Sequence, residues 1–140
     1  MFLGEALRLC PDLKMVPYDF PGYEAVSREL YDTVASYTLD IQAVSCDEMF
    51  VDLTGLLRDV RPAGGVMTFV KSLRREIREK TGCSCSVGLG ESILLARMAT
   101  KKAKPDGEFY LTAEMAEEFL TETSVDQLPG VGRSTARKLR

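Results

Sequence analysis

Two adjacent carboxylates, Asp47 and Glu48, stand in the run Ser45-Cys46-Asp47-Glu48-Met49-Phe50-Val51-Asp52-Leu53-Thr54. Short stretches of strand character flank them. Leu39 to Val44 lies before, and after it Met49, Val51 and Leu53 alternate with Phe50, Asp52 and Thr54. The pair is therefore expected at or near the turn of a hairpin. Neighbours within a regular strand point to opposite faces, whereas a bend lets two carboxylates converge on one ion. Such a pair suits a hard divalent cation such as Mg²⁺, which takes oxygen ligands and leaves positions to water or substrate phosphate. Taken alone, an Asp-Glu pair at a hairpin tip is more often a solvated turn.

Two basic features could serve related chemistry. Arg97, Lys101 and Lys104 recur at i, i+4 and i+7, one positive stripe on a helix that could offset the charge of a triphosphate. A solvated helix face is the other reading. Further along, Leu128-Pro129-Gly130-Val131-Gly132-Arg133-Ser134 follows a short element from Ser124 and precedes a new helix from Ser134 or Thr135, a helix-hairpin-helix pattern. Glycines let the backbone of Gly130, Val131 and Gly132 come close to a phosphate, and unpaired N–H groups at the following helix start point at the anion. Arg133, Arg137, Lys138 and Arg140 add charge that positions a nucleic-acid strand without reading a base. The same turn could simply join two packing helices.

These residues need a scaffold, and the chain supplies one in order. Phe2, Leu3, Ala6, Leu7 and Leu9 have helical spacing, ended by Cys10-Pro11; Leu13 to Val16 reads as short and extended. Asp19 or Phe20 opens a helix with Pro21 in its first turn, and Tyr23, Val26, Leu30, Val34 and Tyr37 carry its apolar face to about Ser36. After the hairpin, Arg61-Pro62-Ala63-Gly64-Gly65 is a loop. Val66, Phe69, Val70, Leu73 and Ile77 then line a helix closed by Gly82. A strand follows with Cys83, Cys85, Val87 and Leu89 on one face, the two cysteines as core thiols of a reducing compartment. Glu91 or Ser92 opens a helix from Ile93 to about Ala103. Lys104-Pro105-Asp106-Gly107 is a turn, Glu108 to Leu111 a strand, and Thr112 the cap of an acidic helix. The ββαβαβ core predicts an α+β fold: an antiparallel-rich sheet with helices packed on one face.

Composition narrows the function classes. The 140 residues are 45% hydrophobic and 28% charged, enough for one domain with a sizeable core. There is no histidine, so Cys-His and Ser-His catalytic pairs and mixed Cys-His zinc sites are excluded. The four cysteines have no zinc spacing. A net charge of −3 does not announce a nucleic-acid binder, although basic residues gather in Arg97 to Lys104 and in Arg133 to Arg140. No apolar run approaches the roughly 20 residues of a membrane span, and the start has no signal-peptide pattern, so no membrane partner is expected and the chain reads as intracellular.

Ser45-Cys46-Asp47-Glu48 followed by V-D-L-T resembles the S-x-D-E motif of the Y-family translesion DNA polymerases. Ser86-Val87-Gly88-Leu89-Gly90, Ile93 to Ala99 and Lys104-Pro105-Asp106-Gly107 resemble that family's second signature, and L-P-G-V-G lies where its palm gives way to its thumb. Three ordered motifs at compatible separations are far more specific than one, and they cover nearly the whole chain. Cys46, L-C-P-D-L, V-P-Y-D-F, A-S-Y-T and A-R-M-A-T-K-K-A-K-P-D-G are most similar to the REV-type deoxycytidyl-transferase branch.

The resemblance implies a polymerase palm followed by the start of a helical thumb: residues 1–20 the end of the fingers, 21–120 the palm, 121–140 the thumb with its helix-hairpin-helix turn. It implies that Asp47 and Glu48 are catalytic ligands of two Mg²⁺ ions, with Mn²⁺ a possible substitute. Lys104 and Arg97 would face the triphosphate of an incoming dNTP, dCTP favoured. Gly130, Val131, Gly132, Arg133 and Lys138 would hold the backbone of primer-template DNA. The implied location is the nucleus, with other translesion proteins as partners through regions outside this chain. The family also uses a further metal-binding aspartate on a strand ahead of the fingers, and nothing before Met1 supplies one. An internal piece of a longer protein, inactive by itself, is therefore expected. The rival reading is a non-catalytic DNA-binding or scaffold module that uses the helix-hairpin-helix and carries a vestigial acidic pair.

Overall fold

The computed structural model describes residues 1–60 and 62–139. Arg61, expected in a loop, and Arg140, expected among the basic residues of the C-terminal turn, lie outside the described residues. Helix α1 (Leu3–Leu9) stops at Cys10, ahead of Pro11, and buries none of its residues. Asp19 opens α2 (Phe20–Ala35): its carboxylate accepts the Gly22 N–H at 3.1 Å while Pro21 fills the first turn. Leu13 to Val16 has no regular structure and is exposed.

Strands β1 (Ile41–Ala43) and β2 (Met49–Val51) form the expected antiparallel hairpin, Ile41 opposite Val51 and Ala43 opposite Met49. The chain then departs from expectation. The run Leu53-Thr54, expected to continue the strand, instead starts α3 (Thr54–Val60). The cause is local: the Asp52 carboxylate accepts the Thr54 N–H at 2.8 Å, an Asx turn that competes with the ladder. Hydrogen bonds from Thr54 hold the Asp52 carboxyl below the usual carboxylate range.

Helix α4 (Gly65–Thr81) closes at Gly82, whose φ of 70° is open to glycine at no steric cost. Strand β3 (Val87–Leu89), helix α5 (Ile93–Ala103) and strand β4 (Glu108–Tyr110) make a βαβ unit. Its strands are parallel, with Val87 opposite Glu108 and Leu89 opposite Tyr110. Ser92 caps α5 by accepting the Leu95 N–H at 3.2 Å. Thr112 precedes α6 (Ala113–Glu122), but its hydroxyl makes no cap bond; it serves Glu114, whose carboxyl it lowers. A 3₁₀ turn (Val125–Gln127) and α7 (Arg133–Leu139) follow. The α+β class stands, with antiparallel pairing in the hairpin and parallel pairing across the βαβ unit.

The cysteine reading needs correction. Cys83 and Cys85 lie before β3, Cys83 exposed and Cys85 half-buried, so they do not share a strand face in the core. Side chains of α4 take the place of a ladder partner there. The Cys83 N–H donates to the Thr81 hydroxyl at 3.0 Å, and Arg74 Nε donates to the Cys85 carbonyl at 2.9 Å. Burial pushes the Cys85 thiol up, against the opposing pull of Arg74.

The core is layered by helix. Val34 of α2 meets Leu73 and Ile77 of α4, and Ile41, Met49 and Val51 of the hairpin pack against that cluster. Tyr37 crosses the seam, donating to Glu76 at 2.5 Å, while Lys80 pairs with the same carboxylate at 2.8 Å. Lys80 first, and Tyr37 second, hold the Glu76 carboxyl below its usual range. Helix α5 buries Met98, Ala99 and Ala103, and Leu111 after β4 is fully enclosed. Arg74 ties α4 to the βαβ unit by ion pairs to Glu108 and, at 2.6 Å, to Asp106. The turn carrying Lys104 is thereby fixed to the main body of the protein.

Candidate functional site

Asp47 and Glu48 project from the hairpin turn, both exposed. The turn is closed on one acceptor: the Glu48 carbonyl takes the N–H groups of Val44 and Ser45, each at 3.0 Å. Ser45 Oγ donates to Asp47 Oδ1 at 2.6 Å and so orients that carboxylate. From α2, the Tyr31 hydroxyl reaches the Ser45 carbonyl at 2.7 Å and the Glu48 carbonyl at 3.0 Å. The donor set is two carboxylates side by side on a hydrogen-bonded bend, which is the chemistry a hard divalent cation needs. Among the described residues no third Asp, Glu, Cys or His completes a cluster with them. Two protein ligands leave most positions on such an ion to other oxygens.

A cleft of about 1560 Å³ opens beside the turn, and Asp47, Glu48, Arg97, Lys104 and Pro129 are among its walls. Arg97 and Lys104 are exposed, and neither has a carboxylate within ion-pair distance among the described residues. Their charge is therefore not paired with a carboxylate in the cleft that they share with the acidic pair. Lys101, the third member of the stripe, also lines the cleft, but its Nζ donates to the Gln127 carbonyl at 3.4 Å and links α5 to the 3₁₀ turn.

The C-terminal turn takes the expected form, with α7 starting at Arg133, one residue earlier than Ser134. Gly130 has φ 86°, the Val131 N–H donates to the Leu128 carbonyl at 3.1 Å, and the Ala136 N–H to the Gly132 carbonyl at 2.9 Å. Gly130, Gly132, Arg133 and Lys138 are exposed and Val131 is half-buried. Pro129 and Gln127 reach the cleft, whereas Gly130 to Arg133 and Lys138 do not line it. The acidic pair and the two free cations thus share one cavity, and the turn adjoins it.

Two participants escaped the sequence reading. Tyr31 stands beside the Leu30 and Val34 stripe, and the signal for it was an aromatic with a polar tip at the edge of an apolar face. Arg74 sits on the charged side of α4, where nothing in the local pattern separates it from Arg75 and Arg78.

A family model described as impB/mucB/samB matches residues 1–101. The chain is 55% identical over 141 residues to the DNA repair protein Rev1 of Drosophila melanogaster, covering 100% of this chain and 14% of that protein. It is 45% identical to the DNA repair protein REV1 of Arabidopsis thaliana, over 99% of this chain and 12% of that one. The chain therefore spans about one-seventh or less of these relatives. Among solved structures, the insertion ternary complex of Dbh DNA polymerase superposes with a TM-score of 0.89 at 28% identity, over 99% of this chain and 40% of that one. The family model covers residues 1–101, the relatives and the fold extend over nearly the whole chain, and the chain belongs to the impB/mucB/samB family, that of the Y-family DNA polymerases.

Proposed function

We propose that this chain is the palm-centred part of the catalytic core of a translesion DNA polymerase, one that adds dCMP from dCTP to a primer 3′-hydroxyl. The observation that carries the reading is the shared cleft, lined by two exposed carboxylates, Asp47 and Glu48, and by two exposed cations, Arg97 and Lys104, that have no ion-pair partner among the described residues. In it, Asp47 and Glu48 are the ligands of two Mg²⁺ ions, with Mn²⁺ able to replace them. Bound there, the ions would supply charge stabilisation for attack by the primer hydroxyl and departure of pyrophosphate. Lys104 and Arg97 hold the triphosphate and offset its charge. Gly130, Val131, Gly132, Arg133 and Lys138 hold the DNA backbone, and the preference for dCTP follows from the resemblance to the deoxycytidyl-transferase branch.

In this reading residues 1–20 end the fingers, 21–120 form the palm and 121–140 begin the thumb, the junction falling near the end of α6 at Glu122. The remaining parts belong to a longer polypeptide, which agrees with the small share of each relative that the chain spans. The eukaryotic relatives are named DNA repair proteins, which supports a nuclear location.

The test is nucleotide binding by the full-length protein on primer-template DNA. Binding of dCTP that depends on Mg²⁺ or Mn²⁺ and exceeds that of the other three dNTPs is expected. DNA binding without metal-dependent dCTP binding would favour the scaffold reading instead. A second measurement isolates the turn. A Cβ at Gly132 would meet nothing within 4 Å, so Gly132→Ala should leave the fold intact. If phosphate approaches there, the added methyl holds it off the backbone N–H groups, and DNA affinity measured by fluorescence anisotropy should fall by about tenfold or more, the net worth of a hydrogen bond to a charged group. Unchanged affinity would remove the turn from the DNA interface.

A further inference from the structure

We propose that Tyr31 is a positioning residue for the Asp47 and Glu48 pair, acting through the backbone of the turn that carries them. The inference rests on the reading of these carboxylates as cation ligands. Between the end of β1 at Ala43 and the start of β2 at Met49, the turn's own hydrogen bonds fix its closure. Ile41, Met49 and Val51 seat the strands on the core, but Val44 to Glu48, beyond the strand ends, are exposed and have no such packing to set their tilt. Among the described residues, the hydrogen bond that ties the turn to another element comes from the Tyr31 hydroxyl. A phenol has one proton, shared here between the Ser45 carbonyl at 2.7 Å and the Glu48 carbonyl at 3.0 Å, the shorter contact being the stronger.

Tyr31 is a stiff strut. It has two side-chain torsions and sits three residues before Val34, whose side chain is 4% exposed in the core cluster with Leu73 and Ile77. The strut therefore refers the turn to the α2 and α4 core. Its two acceptors bracket the acidic pair, and Ser45 also contributes the hydroxyl that orients Asp47 Oδ1 at 2.6 Å. An ion held by two protein ligands depends on the separation and angle of those ligands, so a tilt of the turn changes both. Stability depends far less on the contact, because the freed carbonyls lie at an exposed turn where water replaces the phenol.

Tyr31→Phe in the full-length protein keeps the ring and removes the proton. Amide exchange at Val44 and Ser45, measured without metal, is expected to quicken several-fold. Mn²⁺ binding followed by the free-ion electron paramagnetic resonance signal should weaken by about three- to tenfold, one hydrogen bond's net worth. The Mg²⁺ concentration that half-saturates dCMP insertion should rise in proportion, with DNA affinity and the melting temperature unchanged. Unchanged amide exchange would show that Tyr31 does not hold the turn; faster exchange with unchanged Mn²⁺ binding would show that the tilt does not reach the ligands. Either result overturns the inference. Asp47→Asn in parallel separates this from the underlying reading: if that variant binds Mn²⁺ normally, the ligand assignment fails and the role of Tyr31 falls with it.

Discussion

Replacing Asp47 and Glu48 together by Ala in the full-length protein is expected to cut dCMP insertion on a primed template by at least about 10³-fold, roughly 4 kcal/mol of transition-state stabilisation. The size follows from what the pair has to do. In the proposed mechanism the negative charge developing on the attacking and leaving oxygens would be offset by bound divalent cations, and Asp47 and Glu48, two exposed carboxylates on a hydrogen-bonded bend, are the acids of the hairpin turn that would hold them. The alternative cause of inactivity, unfolding, is remote here. Both side chains are exposed, and neither takes part in an ion pair among the described residues. The main loss to the fold is the Ser45 hydrogen bond to Asp47, worth about 1 kcal/mol at a solvated turn.

DNA binding is the internal control. Removing two negative charges from the cleft can only make it more attractive to phosphate, so affinity should hold or tighten by a few-fold at low salt. Single-turnover insertion and anisotropy on the same preparation therefore separate the readings. Retained insertion would sink the polymerase assignment for this pair. Lost insertion with lost DNA affinity would point to a folding defect and would be checked by thermal melting.

Boundaries written in local chemistry were legible in the sequence. Asp19 with Pro21, Ser92 and Gly82 each act within four residues of the end they set, and the helices begin and stop there. Helix α3 was not legible, because the Asp52 carboxylate that starts it stands in a run whose alternation is that of a strand. Distant satisfaction was equally hidden. The Cys83 to Ser86 stretch reads as a strand, yet its backbone is partnered by Thr81 and Arg74 side chains, and which guanidinium on a charged helix face turns inward is a tertiary matter. The candidate site was legible as motifs in a particular order, and each alone had a bland reading. What the sequence could not display is the selection among equals: of three cations that line the cleft, Lys101 donates to the Gln127 carbonyl, while Arg97 and Lys104 make no such side-chain bond among the described residues.

Gly88→Ala is expected to be the most damaging single-methyl change in the chain, through a contact that lies outside every motif of charge. A Cβ at Gly88 would stand 2.0 Å from the Thr100 backbone nitrogen, 2.4 Å from the Ala96 carbonyl oxygen and 2.5 Å from Thr100 Oγ1. Two of the three are backbone atoms of α5, so no rotamer change relieves them, and the helix must retreat from β3 by more than about 1 Å to restore ordinary contact. Retreat opens the layer that buries Met98, Ala99 and Leu111, for a cost near the top of the overpacking range, about 3 kcal/mol. It also moves the segment that bears Arg97 and ends at Lys104, the C-cap of α5. A displacement of that size at a positioning group is worth on the order of 10²-fold in rate, so dCMP insertion by the folded fraction should fall together with the urea midpoint. Gly55→Ala is the matched control: its Cβ meets nothing within 4 Å in α3, and it should be neutral or stabilising by up to about 1 kcal/mol. A wild-type midpoint in Gly88→Ala would mean that α5 does not lie this close to β3. A lowered midpoint with full insertion by the folded protein would mean that Arg97 and Lys104 are not held to the triphosphate by the seat of α5.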